Sequence, residues 1–261
     1  MMALEAHGPD TFLGGGPSYP WGGLYGGQIV AQALRAVAGT VEPVCRVHSL
    51  HAYFIRRGDP AEPIRFEVER LRNGRSFATR AVVARQSAGA ILNMSASFQV
   101  DEEATDVQAA VRPVAGGPFG VAPSSWSPMF DRRTVALGGE GRQSAWLRMN
   151  DPIGEDAVLH ACALAFLSDD LPTEAVTALH PLHGAGRAEG DWMSASLDHA
   201  IWFHRPVAAD QWMLQDFHCL GLLSSRGLAV GQVFTDEGIH VATVAQEVLL
   251  RVRDTPGRPS A

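Results

Sequence analysis

The feature that most constrains this chain of 261 residues is an internal repeat. Residues 49–54 return in lengthened form as residues 196–203. Four residue pairs then keep a nearly constant separation of 146 or 147 positions: His51 with Asp198, Arg80 with Arg226, Gln86 with Gln232, and Gln99 with Gln246. Such a repeat predicts two copies of one folding unit, related by a pseudo-two-fold axis like a dimer fused into one chain.

Each copy begins with an Ala-rich apolar segment at helical spacing, followed by runs that favour strands. The first copy has a helix that opens at Gly26-Gly27 and ends before Gly39, then strands over 47–55, 64–71, 76–85 and 91–100. The second has a helix over 153–167, a loop over 170–192, and strands over 193–203, 212–220, 227–234 and 239–252. Helices followed by consecutive antiparallel strands predict an α+β fold.

Turn-forming residues predict an irregular start of the chain and a linker between two folded units. Residues 1–25 are rich in Gly, Pro and aromatic side chains, which predicts an irregular lead-in. An acidic start followed by scattered Pro, Gly and Ser predicts a linker over 103–147. This linker would join an N-terminal unit over 12–102 to a C-terminal unit over 148–254.

Composition excludes several function classes. No apolar run reaches the 18 residues of a membrane helix, and the first ten residues lack the pattern of a secretory signal. The net charge is −7 without a basic stripe, so we expect no nucleic-acid partner. All 21 basic residues are Arg, which excludes lysine Schiff-base and P-loop chemistry. Three dispersed cysteines without a CxxC pair predict a cytoplasmic protein, and we expect neither a metal nor a cofactor.

Several longer segments, in this order and spacing, resemble the acyl-CoA thioesterase II family. In the first half these are residues 25–34 (YGGQIVAQAL), 47–59 (VHSLHAYFIRRGD), 71–77 (LRNGRSF) and 95–99 (SASFQ). In the second half they are residues 197–206 (LDHAIWFHRP) and 244–247 (VAQE). The resemblance covers nearly the whole chain apart from the linker and the ends. It implies a double hotdog fold, in which each of two helices is wrapped by an antiparallel sheet.

The resemblance also implies a reaction, the hydrolysis of acyl-CoA by an activated water. In the family an Asp, a Gln and a Ser or Thr of the second repeat hold that water. Asp198 and Gln246 match the first two, so we expect Asp198 to be the general base and Gln246 to position the water. The family hydroxyl position falls on Leu220, which leaves Ser224 and Ser225 as candidate hydroxyls.

The residues themselves leave structural alternatives open for both candidates. The carboxylate of Asp198 lies in an apolar run, where burial without a partner is costly, so it is a site residue or else forms a salt bridge or a turn cap. Gln246 positions water or makes a structural hydrogen bond, since Gln99 holds a comparable place in the first repeat.

Substrate contacts are predicted at two places. Gly26, Gly27 and Gln28 open the first helix, where free N–H groups and the helix dipole favour a thioester carbonyl or a phosphate. Tight helix–sheet packing would explain the same glycines. Arg205 ends a strand and would neutralise a CoA phosphate or form a salt bridge at the rim.

Two further functions stay open on the sequence alone. Leu220 suggests a protein that binds acyl-CoA or another acyl thioester without hydrolysing it. A hotdog dehydratase or hydratase would need a catalytic histidine, for which His51 is the best placed. The resemblance implies acyl-CoA as the partner. Because fused hotdog pairs commonly associate further, we also expect a homo-oligomer. We expect no insertion into a membrane.

Overall fold

The computed structural model describes residues 2–184 and 191–253, and in this part of the chain each half combines a sheet with helices. The first half contains β1 (Glu5–Ala6), β2 (Thr11–Gly14), α1 (Gly26–Ala38), β3 (Cys45–Phe54), β4 (Ile64–Asn73), β5 (Phe77–Gln86) and β6 (Gly89–Val100). The second half contains β7 (Phe130–Val135), β8 (Arg142–Met149), α2 (Ala157–Leu167), α3 (Pro172–Leu179), β9 (Trp192–Ser196), β10 (Asp198–Phe203), β11 (Met213–Leu223), β12 (Arg226–Thr235) and β13 (His240–Val252). Residue 254 of the predicted second unit and residues 185–190 of the predicted loop lie outside the described residues.

All the described strands belong to one antiparallel sheet, and the two halves repeat the same strand order. From the outer edge to the centre, the order is β1-β2-β4-β5-β6-β3 in the first half and β7-β8-β11-β12-β13-β10 in the second. β3 and β10 pair in the centre, and β9 pairs with the end of β13. His51 and Asp198 lie on the corresponding strands β3 and β10. The mirrored order confirms the predicted duplication and the double hotdog fold.

The alternation of side chains corrects two of the predicted residue pairs. Gln246 on β13 is fully buried in the inward row, whereas Gln99 on β6 follows the buried Phe98 and therefore faces the other way. Arg80 on β5 is buried, whereas Arg226 on β12 is exposed. The copies thus correspond strand by strand, but a constant offset does not match them residue by residue.

The helices fill the inner side of the sheet. α1 packs on β5 and β6 and against α2, while α3 covers β11, β12 and β8. α2 is apolar around its whole circumference, so that His160 to Leu167 are buried on every side. Its first turn is capped by Asp156, whose carboxylate accepts hydrogen bonds from the N–H groups of Val158 and Leu159. None of the described helices has the length and apolar character needed to span a bilayer.

Regular structure extends into three segments that were predicted to be irregular. Residues 1–25 contain β1 and β2, the predicted linker over 103–147 contains β7 and most of β8, and the predicted loop over 170–192 contains α3. β2 and β8 pair with β4 and β11 at corresponding places in the sheet, and these ladders outweigh the local Gly and Pro signals. Residues 101–129, all described, form no helix or strand and run along the second half, where Trp146 Nε1 donates to the Gly116 carbonyl (2.7 Å).

Candidate active site

The helix of the second repeat is interrupted just after Leu167, and the interruption carries two acidic residues. Pro172 has no N–H to donate to the carbonyl of Ser168, so α2 ends and α3 begins anew with the proline in its first turn. Asp169 and Asp170 lie between the two helices, with only 7% and 9% of their surfaces exposed. Burial of two adjacent carboxylates is costly unless both are partnered.

Asp169 is the centre of a buried polar cluster that joins the two repeats. Its Oδ2 accepts a hydrogen bond from the N–H of Gly27 (2.8 Å), and its Oδ1 accepts one from the hydroxyl of Ser196 (3.1 Å). The amide of Gln246 donates through Nε2 to Oγ of Ser196 (2.8 Å), and the same amide lies close enough to Asp169 to lower the pKa of its carboxyl. Tyr25 gives the start of α1 no side-chain cap, so Asp169 supplies an acceptor that this helix end lacks.

A second layer of hydrogen bonds lies behind Gln246. His199 is fully buried on β10, with Nδ1 at 2.5 Å from Oε1 of Gln246. Its Nε2 lies 2.9 Å from the hydroxyl of Ser168 at the end of α2. The Asp169 cluster is therefore connected through Gln246 and His199 back to the helix break from which Asp169 itself comes.

The electrostatics of the cluster follow from its burial. Burial raises the pKa of the Asp169 carboxyl, and the nearby His199 together with the donors Gln246, Gly27 and Ser196 opposes this shift. Burial lowers the pKa of His199, so its imidazole is neutral at physiological pH. The positive end of the α1 dipole also favours the carboxylate. A buried carboxylate that is raised in pKa and still held by donors is suited to accept a proton.

Asp170 faces a different set of partners. It accepts a hydrogen bond from Nε1 of Trp126 (2.5 Å) and lies 3.2 Å from Arg132, which also pairs with Glu174. Burial raises the pKa of Asp170 to about 6 against the attraction of Arg132. Trp126 leads into a cluster of aromatic rings at the start of α1, formed with Tyr19, Trp21, Tyr25, Phe130 and Phe166. The site thus has an ionic and aromatic flank beside Asp169.

Two of the predicted residues belong to the Asp169 cluster, Gln246 and Gly27. The N–H of Gly27, however, is bound to Asp169 and is not free for a substrate. Gly26 lies next to the cluster, since a Cβ there would stand 2.7 Å from Oδ2 of Asp169. Gln28 is buried and accepts a hydrogen bond from the hydroxyl of Tyr19 (2.6 Å). The glycines therefore permit the close approach of α1 to the helix break.

The structure does not bring Asp198 together with Gln246. Asp198 immediately precedes the inward-facing His199 on β10, and strand alternation turns it to the opposite face. Its Oδ1 accepts a hydrogen bond from the N–H of Glu247 (2.6 Å). Asp198 thus makes a structural hydrogen bond to the neighbouring strand, which is neither the salt bridge nor the turn cap that the sequence left open.

The predicted hydroxyl positions also lie elsewhere. Leu220 stands in a β-bulge of β11 and is 67% exposed, so its side chain faces solvent and not the cluster. Ser224 and Ser225 form the two-residue turn to β12, with φ of 50° and 60° that fit such a hairpin. The hydroxyl of the cluster comes instead from Ser196 at the end of β9. Leu220, Ser224 and Ser225 therefore all lie outside the Asp169 cluster.

Arg205 and His51 take part in contacts at the surface of the sheet. Arg205 binds Asp106 of the segment 101–129 and donates to the carbonyl of His240 (2.8 Å), which is the predicted salt-bridge alternative. His51 is exposed on β3, with its ring 5.2 Å from that of Trp202.

Sequence reasoning missed Asp169, Ser196 and His199. A signal for the first was present, because the acids at 169 and 170 interrupt a strongly apolar run and stand just before Pro172. No comparable signal marks Ser196, which enters the site only because β9 pairs with β13.

Comparisons with known proteins agree with this architecture. Residues 17–99 match the family model of the acyl-CoA thioesterase N-terminal domain, and residues 98–250 match that of the C-terminal domain. The chain is 34% identical to acyl-CoA thioesterase 2 of Haemophilus influenzae, over 96% of each protein. It is 33% identical to human acyl-coenzyme A thioesterase 8, over 97% of this chain and 88% of the human protein.

Solved structures give the same result. An acyl-CoA thioesterase II from Mycobacterium marinum superposes with a TM-score of 0.85 at 35% identity, over 99% of this chain and 98% of that one. A tesB protein from Mycobacterium avium subsp. paratuberculosis superposes with a TM-score of 0.83 at 32% identity, over 96% of each chain.

Proposed function

We propose that this chain, which belongs to the acyl-CoA thioesterase family, hydrolyses acyl-CoA to a free acid and CoA with a water held by Asp169, Ser196 and Gln246. The observation that carries the assignment of residues is the convergence of these side chains on one buried carboxylate. Gly27 of the first repeat completes the cluster, so both repeats contribute to it.

Each side chain has a distinct part in this mechanism. Asp169 is the general base: it takes a proton from the water as the water oxygen attacks the thioester carbonyl carbon. Ser196 and Gln246 hold the water through the hydroxyl and the amide that already meet at Asp169. The tetrahedral intermediate then collapses, the C–S bond breaks, and the proton held by Asp169 neutralises the departing thiolate of CoA.

The site also bears on the two alternative functions. Binding without hydrolysis was suggested by Leu220, but the proposed hydroxyl is that of Ser196, which is present. A dehydratase would rely on His51, which is exposed and packs edge-on against Trp202 instead of lying beside the Asp169 cluster. Hydrolysis is therefore the reaction that these side chains support best.

We also propose that the protein is cytoplasmic and that it associates with further copies of itself. The free thiols of Cys45, Cys162 and Cys219 support a cytoplasmic location, where disulfides are rare. Exposed apolar side chains on the outer face of the central strands, among them Tyr53 and Trp202, support self-association into a homo-oligomer.

A free-thiol assay over a series of acyl-CoA chain lengths tests the proposal, with Asp169→Asn and Asp198→Asn as a matched pair. Asp169→Asn keeps the shape but removes the base, so kcat should fall by about 10²–10⁴-fold. Asp198→Asn should leave kcat nearly unchanged, because an Asn oxygen still accepts from Glu247. If Asp169→Asn is as fast as the parent, or if only Asp198→Asn is impaired, the assignment of the base is wrong.

The pH dependence of kcat/KM provides a second test of Asp169 as the base. Because the base must be ionised and burial raises its pKa, kcat/KM should decline on the acid side with a midpoint above 3.8, the ordinary value for Asp. Asp198→Asn should show the same decline of kcat/KM on the acid side. A profile that stays flat down to pH 4 would contradict the role of Asp169.

A further inference from the structure

The orientation of the Gln246 amide decides whether the proposed site works. Nε2 of this amide donates to the hydroxyl of Ser196, which itself donates to the carboxylate of Asp169, and the amide also lowers the pKa of that carboxyl. Rotating the amide by half a turn would place Oε1 against the carboxylate, where two acceptors repel, and would remove the donors from the water site. Some group on the other side must therefore select one orientation.

His199 is the group on that other side, and its protonation can be deduced. Oε1 of Gln246 is only an acceptor, so Nδ1 of His199 must carry the proton that bridges the 2.5 Å between them. Burial lowers the pKa of His199, so the ring is neutral and Nε2 keeps a lone pair. Oγ of Ser168 lies 2.9 Å from Nε2 and 3.2 Å from the carbonyl oxygen of Ala165, so its one hydrogen is shared between these two acceptors.

We propose that His199 is a positioning residue, whose Nδ1–H fixes the orientation in which Gln246 presents its amide hydrogens to Ser196 beside Asp169. The hydrogen bonds then run in one direction, from His199 to Gln246, from Gln246 to Ser196, and from Ser196 to Asp169. This inference deepens the proposed function, because His199 acts through Gln246 and has no contact of its own with the substrate.

The first repeat shows that this arrangement is not required by the fold. The inward row of β3 carries Leu50 and Ala52, whereas that of β10 carries His199 and Ile201. A buried imidazole costs free energy that an apolar side chain at the same place would not. Its complete set of partners in the second repeat is consistent with a role in orienting Gln246.

Two variants of His199 test whether this residue orients the Gln246 amide or only fills space in the core. Asn places an amide N–H close to the position of Nδ1, whereas Leu fills the space without a donor. His199→Leu should lower kcat by about 10–100-fold with KM within about twofold, the size of effect seen when a supporting hydrogen-bond partner is lost. His199→Asn should recover most of this loss.

A histidine–serine pair in the first repeat provides the control. His48 on β3 binds the hydroxyl of Ser97 at 2.8 Å, outside the candidate site. His48→Leu should leave kcat unchanged. The proposal is overturned if His199→Leu keeps the parent kcat, or if folded His199→Asn is no faster than folded His199→Leu. Should the Leu variant not fold, the Asn variant and Ser168→Ala decide, since they should retain more activity than Gln246→Ala.

Nitrogen NMR of the parent protein distinguishes this proposal from the proposed function. The ring nitrogen resonances that are absent in His199→Asn are those of His199. In the parent protein they should show a neutral ring protonated at Nδ1. A ring protonated at Nε2 would overturn the positioning role even in an active enzyme. A ring protonated at Nδ1 in a protein that releases no thiol would leave the hydrogen-bond chain intact and refute the proposed reaction instead.

Discussion

The two repeats share a sheet, but their helices differ at one place, and that difference creates the candidate site. In the first repeat α1 runs unbroken through its thirteen residues. In the second, the helix is divided into α2 and α3 by the segment that carries Asp169 and Asp170. The N-terminal end of α1 then binds the Asp169 carboxylate at this break through the N–H of Gly27. The two repeats thus provide similar scaffolds, and the break in one helix supplies the carboxylate of the candidate site.

The strands show the same division of roles. Inward positions on β3 and β6 carry apolar residues such as Leu50 and Ala96, whereas β10 and β13 carry His199 and Gln246 in their inward rows. The first repeat contributes a backbone N–H and packing, and the second contributes the side chains that can act on water. Neither repeat holds the complete cluster, so the site exists only where the two meet.

The largest effect should come from comparing two glutamines on corresponding strands. Gln246→Ala removes the donor to Ser196 and should lower kcat/KM by about 10²-fold. Gln99→Ala on β6 should change it little, because Gln99 faces away from the core. Steady-state thiol release measures both. Equal losses in the two variants would mean that the glutamines share a structural role.

Gly27 tests the contact between the repeats. A Cβ at this position would stand 2.5 Å from the backbone carbonyl of Phe166, so Gly27→Ala should push α1 away from the helix break and destabilise the protein by about 2 kcal/mol. Gly15 has open space around it, so Gly15→Ala is the control. Urea unfolding compares the two variants, and equal midpoints would show that α1 does not need this close approach.

A smaller effect, of opposite sign, is expected at Gln215. This residue is fully buried on β11, and both of its amide atoms lack a hydrogen-bond partner among the described residues. The corresponding strand of the first repeat, β4, presents Phe66 to its core. Gln215→Leu should therefore raise the free energy of unfolding by about 1 kcal/mol. The exposed Gln211→Leu should not, and a loss of stability in Gln215→Leu would contradict this account.

The smallest effect is expected at Leu220. If the proposed site hydroxyl is Ser196, adding a hydroxyl with Leu220→Thr changes only an exposed side chain in a bulge. Activity should stay within about twofold of the parent, the usual range for surface substitutions. Ser196→Ala is the informative partner, since it should impair the enzyme. A marked gain in Leu220→Thr would show that a hydroxyl on β11 matters after all.

Most of the fold could be predicted from the sequence, because its long elements carry strong periodic patterns. α1 and the long strands β4, β5, β6, β12 and β13 lie within a few residues of their predicted bounds. The short edge strands β1, β2, β7 and β8 could not be predicted, since they depend on partners distant in sequence. α3 was missed because Pro172 resembles a loop signal, although proline also starts helices.

The site was predicted only in part. Gln246 was named through the family resemblance, and Gly27 through its place at the start of α1, although its N–H binds Asp169 and is not free for a substrate. Asp198 was chosen as the base because it matches the motif of the family, but alternation on β10 turns it outward. Asp169 becomes a candidate base only when a helix end from the other repeat and two strands surround it. Such a role depends on contacts between residues more than 140 positions apart, which local patterns do not contain.

The central pairing of β3 with β10 has a consequence for synthesis of the chain on the ribosome. β3 is complete at Phe54, whereas the strand that covers its free edge begins only at Asp198. At about 5–20 residues per second, the intervening sequence takes roughly 7–30 s to make. During that interval the nascent first repeat presents a ten-residue strand with unpaired backbone groups, a template on which other chains can add. In the complete chain β10 pairs with residues 49–53 of this strand, so the protein is most vulnerable to aggregation before its second half has been translated.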